Sequence, residues 1–428
     1  MSAQLTRLLA GTEGGARLDL AQHLAIHGAL ELPARKAVEP WVRTVLAEIE
    51  RSGLAGRGGG GFPTSTKLAS LPQGRRRNHL VINVMEGEPA AQKDSVLAAY
   101  APHLILDGAE ALALLIHAAS ITVAVARDNP GAASSLSAAM AERARRGRDA
   151  VPMSIETLPA RYVGGEESGL VHWLDGGPAM PTFRPHKPAR LVVRGRAAIV
   201  DNAETAASVA LIARHGGAWF ANAGRNGASG SSLVTISGAV AEQGVFEVAL
   251  GSSLGEVVAL AKPTRTVAGI LLGGYGGTFV GPGALDAPYS KDGLRAHSAS
   301  VGAGVIVVLD SASCGITETA RITRWMANES AGQCGPCVFG LPAIAGDLEV
   351  IAAGRGDART ERQLRNRLKV ISGRGACAHP DGVVRMVSSA LDVFAGDLTA
   401  HVGGRRCTAA SAATLLALPA NGGALEWR

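Results

Sequence analysis

Two cysteines, Cys334 and Cys337, stand two residues apart in "ESAGQCGPCVFG" (329–340), a spacing at which both thiols reach one metal centre. Three residues before Cys334, where a third cysteine would extend the pattern, the chain has Ala331. The other cysteines are Cys314, Cys377 and Cys407, and a total of five argues against a disulfide framework. Taken alone, Cys314 and Cys407 read as small buried hydrophobes.

A different chemistry is written in "SGLAGRGGGGFPTSTKL" (52–68), where six glycines surround Arg57 and lead through Phe62-Pro63-Thr64 to Lys67. Glycines let backbone N–H groups converge on an anion that side chains would keep away. Arg57 or Lys67 would add positive charge. The plain alternative is a flexible linker, against which the Phe-Pro-Thr anchor counts. The segment is neither a Walker A loop nor a dinucleotide fingerprint. Two acidic stretches, "NVMEGEP" (83–89) and "YVGGEESG" (162–169), each follow an expected strand. Singly, their carboxylates are ordinary turn residues in water. Together, Glu86, Glu88, Glu166 and Glu167 would face the crevice beyond the strand ends, where carboxylates hold ribose hydroxyls and repel an extra phosphate.

The elements that must position these groups follow from periodicity. "HLVINV", "ITVAVAR" and "VPMSIETLP" read as strands, separated by the helical "PHLILDGAEALALLIHAA" and "ASSLSAAMAERARRG". That alternation predicts a parallel sheet covered by helices. From about 231 the texture becomes a small α+β unit, "SSLVTISGAVAEQGVFEVALGSSLGEVVALA" with strands in "ILLGGYGG" and "VGAGVIVVLD". From about 316 helical periodicity dominates, and "VVRMVSSALDVFAGDLTAHV" reads as one long helix of a bundle. The expected domains are therefore 1–230, 231–315 and 316–428.

The 428 residues are 47% hydrophobic and 18% charged, which suits a folded chain with several cores. The net charge of +6 suits an acidic partner, and the 4% aromatic content argues against base-stacking platforms for nucleic acid. No apolar run is long enough to span a bilayer, and the first residues lack a signal-peptide core, so a reducing cytoplasm is the expected location, peripheral to a membrane complex if bound to one. No hydrolytic constellation stands out. His103 reads as a helix-start residue making a hydrogen bond.

These motifs, in this order, resemble the NADH-binding flavoprotein subunit of respiratory complex I and the diaphorase subunits of NAD-linked hydrogenases and formate dehydrogenases. The likeness runs through "SGLAGRGGGGFPTSTK", "EGEPAAQKD", "PHLILDG", "YVGGEESGLVHWLDG", "DNAETAASVA", "GGYGG", "ESAGQCGPC" and Cys377. It implies an α/β domain binding FMN and NADH, a ubiquitin-like β-grasp domain and a helical bundle with an iron–sulfur cluster. It places Gly56, Arg57, Gly58, Gly59 and Lys67 on the FMN loop and Asn83 and Glu86 beside the flavin. Gly165, Glu166 and Glu167 fall between flavin and NADH, and Asn202 and Thr205 at the FMN phosphate end. Phe62 would stack on NADH, Glu88 would lie near its ribose, and Cys334, Cys337 and Cys377 would hold a 4Fe–4S or 3Fe–4S cluster. Ser330, His379, Cys314, Cys407 or solvent would supply the donor that Ala331 lacks. The chain departs from the family at Met85, Asp201 and Lys187, the last of which leaves NADH and NADPH both open. The implied function is an NAD(P)H dehydrogenase passing electrons through FMN and an iron–sulfur centre to a ferredoxin or a 2Fe–2S partner subunit, with no side chain acting as acid or base. A scaffold subunit without a cluster, in a larger redox complex, is the second reading.

Overall fold

The structure, a computed structural model, describes residues 3–71, 77–147, 149–183, 191–405, 407, 409, 414–419 and 427. Lys187 lies outside them.

Strands β1 (Asn78–Val84), β2 (Ala118–Ala126), β3 (Met153–Leu158), β4 (Leu191–Val193) and β5 (Arg196–Asn202) form one sheet in the order β3-β2-β1-β5-β4. β1, β2, β3 and β5 run parallel, and β4 pairs antiparallel with β5 at the edge. The central strands are apolar without interruption because helices cover both faces. Leu80 and Ile82 face one core and Val81 the other. Proline opens the two crossover helices, Pro102–Leu115 and Pro130–Arg145, where its missing N–H costs nothing.

Helix Pro102–Leu115 is buried along nearly its whole length and crosses helix Ala203–His215 at close range. A Cβ on Gly108 would lie 1.8 Å from the carbonyl oxygen of Ala206, which only backbone movement could relieve. Gly108→Ala is therefore expected to destabilise the fold by about 1–3 kcal/mol through overpacking, net of its better helix propensity, read as a lower urea midpoint. The preceding residue, Asp107, is buried against His23 Nε2 at 2.8 Å and Arg143 Nη1 at 2.6 Å, with Arg214 as a third partner. The aspartate of "PHLILDG" thus ties helices together. His103 Nε2 pairs with Glu142 at 3.0 Å, the hydrogen bond expected of it.

A second sheet contains β6 (Ser231–Gly238), β7 (Gly244–Ala249), β8 (Val267–Leu272), β9 (Thr278–Val280) and β10 (Val305–Asp310), ordered β7-β6-β10-β8-β9. β6 and β10 are parallel and the remaining pairs antiparallel. Helix Leu254–Ala259 follows β7, opened by a reciprocal cap between Ser253 and Glu256. Alternation along β10 divides two cores. Ile306 and Val308 pack under this helix, and Val305, Val307 and Leu309 pack on the C-terminal helices.

Those helices are Gly315–Asn328, Leu341–Ala352, Ala358–Ile371, His379–Val393 and Ala395–Val402. The last run, expected as one helix, is broken at Phe394 (φ −105°, ψ 35°). The Phe394 ring fills the space over Gly269 and Gly315, where added Cβ atoms would fall 2.7 and 2.2 Å from it. Burying that ring wins over continuing the helix. Among the described residues no helix is long and apolar enough to cross a membrane.

Candidate functional site

A cavity of about 600 Å³ opens where the two sheets and the bundle meet. The carboxyl end of β1 and its following loop supply Asn83, Glu86 and Glu88. The 162–166 loop supplies Gly165 and Glu166, the end of β5 supplies Asn202, and Arg57, Gly58 and Gly59 form another wall. Gly273, Gly276 and Ser298–Gly302 close it from the second sheet, and Cys377 and His379 close it from the bundle. The volume lies within the roughly 300–1,000 Å³ of small-molecule and cofactor sites.

The glycine loop is held at its base and bare at its tip. Gly56 N–H donates to the Phe62 carbonyl at 2.8 Å, and Thr64 N–H to that of Leu54 at 2.9 Å. Gly59 needs φ +100°, which L side chains rarely adopt. Arg57 N–H donates to Thr205 Oγ1 at 2.9 Å, pinning the loop to the first turn of helix Ala203–His215. Gly58 approaches Asn202, whose side chain caps that same helix through Glu204 N–H at 3.0 Å. The positive end of a thirteen-residue helix therefore sits at the cavity wall, next to backbone with no side chains to obstruct it. This cradle fits a phosphorylated ligand.

The two cations expected to serve the anion are engaged elsewhere. The buried Arg57 guanidinium donates to the Ser231 carbonyl at 2.9 Å and lies 3.7 Å from Glu204. Lys67 Nζ pairs with Glu167 at 3.0 Å and Asp201 at 3.3 Å and donates to the Val200 carbonyl. Burial alone would lower the Lys67 pKa, but Asp201 and Glu167 more than offset it and hold it raised. The departure at Asp201 has a structural consequence, since it gives Lys67 a second carboxylate. Lys67, Glu167 and Thr205 thus stand behind the cavity wall, Gly56 on the far side of the loop, and Phe62 about half exposed at the loop's edge.

Besides Arg57, the cations lining the cavity are Arg385 and Lys93, the latter passed over by sequence reading inside "EGEPAAQKD". Lys93 Nζ is buried 3.0 Å from Asp94 and 2.9 Å from Glu204, and 3.4 Å from Asn202 Oδ1. Burial opposes the charge, but these carboxylates raise the pKa above the usual lysine value. The acids beside it are tied down as well. Glu86 accepts from the N–H groups of Asp94 and Ser95 at 3.1 and 3.0 Å, and burial followed by the nearby Asp94 raises its pKa. Glu88 accepts from Tyr275 N–H at 2.7 Å, and burial lifts its pKa to about 7 despite that bond. Glu166 caps helix Glu167–Leu174 through Ser168 N–H at 2.8 Å. Asn83 joins the two acidic loops by donating to the Gly165 carbonyl at 2.9 Å. Met85 is buried under Gly165, where an added Cβ would meet it at 3.1 Å.

Behind Cys377, the thiols of Cys334, Cys337 and Cys377 lie close enough to influence one another. Burial, then Cys334 and Cys377, push the Cys337 thiol up to about 12, while the Ser330 hydroxyl bonded to it acts the other way. A metal centre would reverse that balance by stabilising all three as thiolates. Of the expected fourth donors, Ser330 is at the site. His379 Nε2 bonds the Met326 carbonyl at 2.9 Å, and Cys314 and Cys407 converge on His401 instead. Three thiols and one hydroxyl fit an iron–sulfur cluster with one oxygen ligand.

Comparison with known proteins places two family regions on the chain. Residues 49–211 match the Nuo51 FMN-binding domain, and residues 317–401 match the NADH-ubiquinone oxidoreductase-F iron-sulfur binding region. The second F subunit of NADH-quinone oxidoreductase in Rhizobium meliloti is 30% identical over 388 residues, spanning 87% of this chain and 92% of that protein. The NADH-quinone oxidoreductase F subunit of Mycobacterium tuberculosis is 31% identical over 382 residues, spanning 85% of each. An NAD+-reducing [NiFe]-hydrogenase, solved in the air-oxidized state, superposes with a TM-score of 0.78 at 30% identity, covering 88% of this chain and 67% of that one.

Proposed function

Because the chain belongs to the family of NADH-quinone oxidoreductase F subunits, we propose that its cavity seats FMN phosphate-first on the glycine loop, with NADH between the flavin and the acidic loops. It is an NADH-oxidising flavoprotein subunit that uses FMN and an iron–sulfur centre. The observation that carries the site assignment is the continuity of one cavity from Gly58 and Gly59 to Cys377. Bound FMN takes electrons in pairs and returns them singly, and an iron–sulfur cluster takes them one at a time.

The chain's own residues bind and orient. Gly58 and Gly59 admit the phosphate to backbone N–H groups, and the helix end at Asn202 adds to the field. Lys93 and Arg57 together offset Asp94 and Glu204 beneath, which reduces the negative field the phosphate meets. Glu88 and Glu166 are placed to accept from ribose hydroxyls. Carboxylates there disfavour a 2′-phosphate, Glu88 increasingly as pH rises through about 7, so NADH is the better donor and NADPH the poorer one. Phe62 supplies a stacking face. Phe62→Ala is expected to raise KM for NADH about two- to tenfold, the worth of one aromatic stack, with FMN content unchanged. The second sheet reads as a β-grasp domain, supported by its parallel β6/β10 centre and the helix after its first hairpin, and we propose the domain limits 1–230, 231–315 and 316–428 on that reading.

The acceptor is a partner subunit or ferredoxin with an acidic face. What supports this is an apolar groove beside Cys337, with Phe339 76% exposed and Val370 next to it, rimmed by Arg359, Arg362, Arg367 and Arg374. Purification without oxygen should give a yellow-brown protein that reduces a dye with NADH at least tenfold better than with NADPH. A colourless protein that cannot be loaded with FMN would end this reading, and a flavin-bearing one inert to NADH would favour the scaffold.

A further inference from the structure

A second convergence of ligand-type side chains lies in the bundle, apart from Cys334, Cys337 and Cys377. The Sγ atoms of Cys314 and Cys407 and an imidazole nitrogen of His401 all fall within 4.8 Å of one another. Cys314 and His401 are buried and Cys407 is partly covered. Cys314 caps the helix Gly315–Asn328, and its Sγ accepts from Thr317 N–H at 3.3 Å and Thr317 Oγ1 at 3.1 Å. His401 Nε2 stands 3.4 Å from Cys314 Sγ. Asp397 is one helical turn before His401, accepts from Gly315 N–H at 3.3 Å, and faces Cys407.

We propose that Cys314, His401 and Cys407 hold a zinc ion, with an oxygen donor, water or a shifted Asp397 carboxylate, in the fourth position. Two sulfurs, one imidazole nitrogen and one oxygen are a donor set for tetrahedral Zn²⁺. The two thiolates neutralise the ion, so the cost of burying it is small. A two-cysteine iron–sulfur centre of the Rieske kind would need a second imidazole, and this group has one. The ion would join three parts of the chain: the start of the first bundle helix, the last bundle helix and the tail beyond it. That tail returns over the bundle, with Leu415 N–H donating to Glu318 at 3.0 Å, Leu416 buried, and the Ala417 carbonyl accepting from the Tyr275 hydroxyl. Tyr275 in turn gives its N–H to Glu88 at the cofactor cavity. The zinc clip therefore secures the tail that backs one wall of the cavity.

The test is elemental analysis of the full chain, purified under reducing conditions without chelator and then exposed to Zn²⁺ and desalted. About one zinc per chain is expected in addition to any iron, and Cys407→Ser and His401→Ala should each lose it while retaining flavin and iron. Co²⁺ loaded in place of zinc should show thiolate-to-metal absorption that Cys407→Ser removes. The partly covered Cys407 makes its serine variant the one least prone to misfold. Zinc below about a tenth of an ion per chain after exposure would overturn the proposal. So would undiminished zinc in Cys407→Ser, or a Cys314–Cys407 disulfide found by mass spectrometry in freshly isolated, unexposed protein.

Discussion

Cys337→Ala is expected to strip the chain of iron and leave its flavin in place. Cys337 is the most buried of the three thiols and the one that both of the others, and Ser330, act upon. Without it only two thiolates and a hydroxyl remain, too few to retain a cubane through purification. Flavin is held by the glycine loop and the end of helix Ala203–His215, which do not depend on Cys337. Iron and sulfide should fall at least tenfold, FMN should stay near one per chain, and NADH should still bleach the flavin while one-electron transfer to a protein acceptor stops. The same site separates two readings of Ala331. If the Ser330 oxygen is the fourth donor, Ser330→Ala should lower iron per flavin by about a quarter and give the EPR spectrum of a three-iron cluster. Ser330→Cys should make the cluster more resistant to chelators, because sulfur is the softer donor. Iron, potential and EPR spectrum all unchanged in Ser330→Ala would remove Ser330 from the coordination.

Which parts of this were readable in sequence follows from where the information sits. β1 and β2 announce themselves because strands buried on both faces need unbroken apolar runs, and the helices between them carry their own periodicity. The glycine loop is readable because a positive φ at Gly59 and an unobstructed backbone leave only one residue type. The opposite wall of the cavity is not, because Gly273, Gly276 and Ser298–Gly302 are turns of another sheet and meet the loop only through tertiary packing. Side-chain direction is hidden for the same reason. Nothing local to Arg57 says that its guanidinium turns to Glu204 and Ser231, and nothing local to Lys93 says that it turns toward Asn202. The break at Phe394 depends on two distant glycines, Gly269 and Gly315, leaving room for a ring. His401 lies on an amphipathic helix and gains chemical meaning only when Cys314 and Cys407 arrive from 87 residues before it and from the tail.

Lys93→Met should be the most damaging single change in the first domain. Its ammonium group is 2.9 Å from Glu204 and 3.0 Å from Asp94, all three side chains almost wholly buried. Methionine fills much of the same volume, so the loss is electrostatic. Breaking a buried pair from one side leaves uncompensated charge and costs about 3–5 kcal/mol, read as a lower urea midpoint and loss of bound FMN. The pH dependence has a definite sign. The folded pKa of Lys93 is raised, so its contribution is complete below the unfolded lysine value and is lost only in strong alkali. In the variant the penalty comes chiefly from Asp94, because Glu204 keeps the Arg57 guanidinium 3.7 Å away. Asp94 already has a raised pKa from burial, and removing Lys93 raises it further, so protonation relieves the strain on acidification. The destabilisation should therefore be smaller at pH 5 than at pH 8. Adding Asp94→Asn to Lys93→Met should recover about 0.5–3 kcal/mol, since an amide oxygen there can still accept from Asn202 Nδ2, which Asp94 Oδ2 holds at 2.7 Å. FMN affinity should not recover with it, because the floor of the cavity would still lack the Lys93 ammonium group. A double variant no more stable than the single one would place the damage in packing and not in charge.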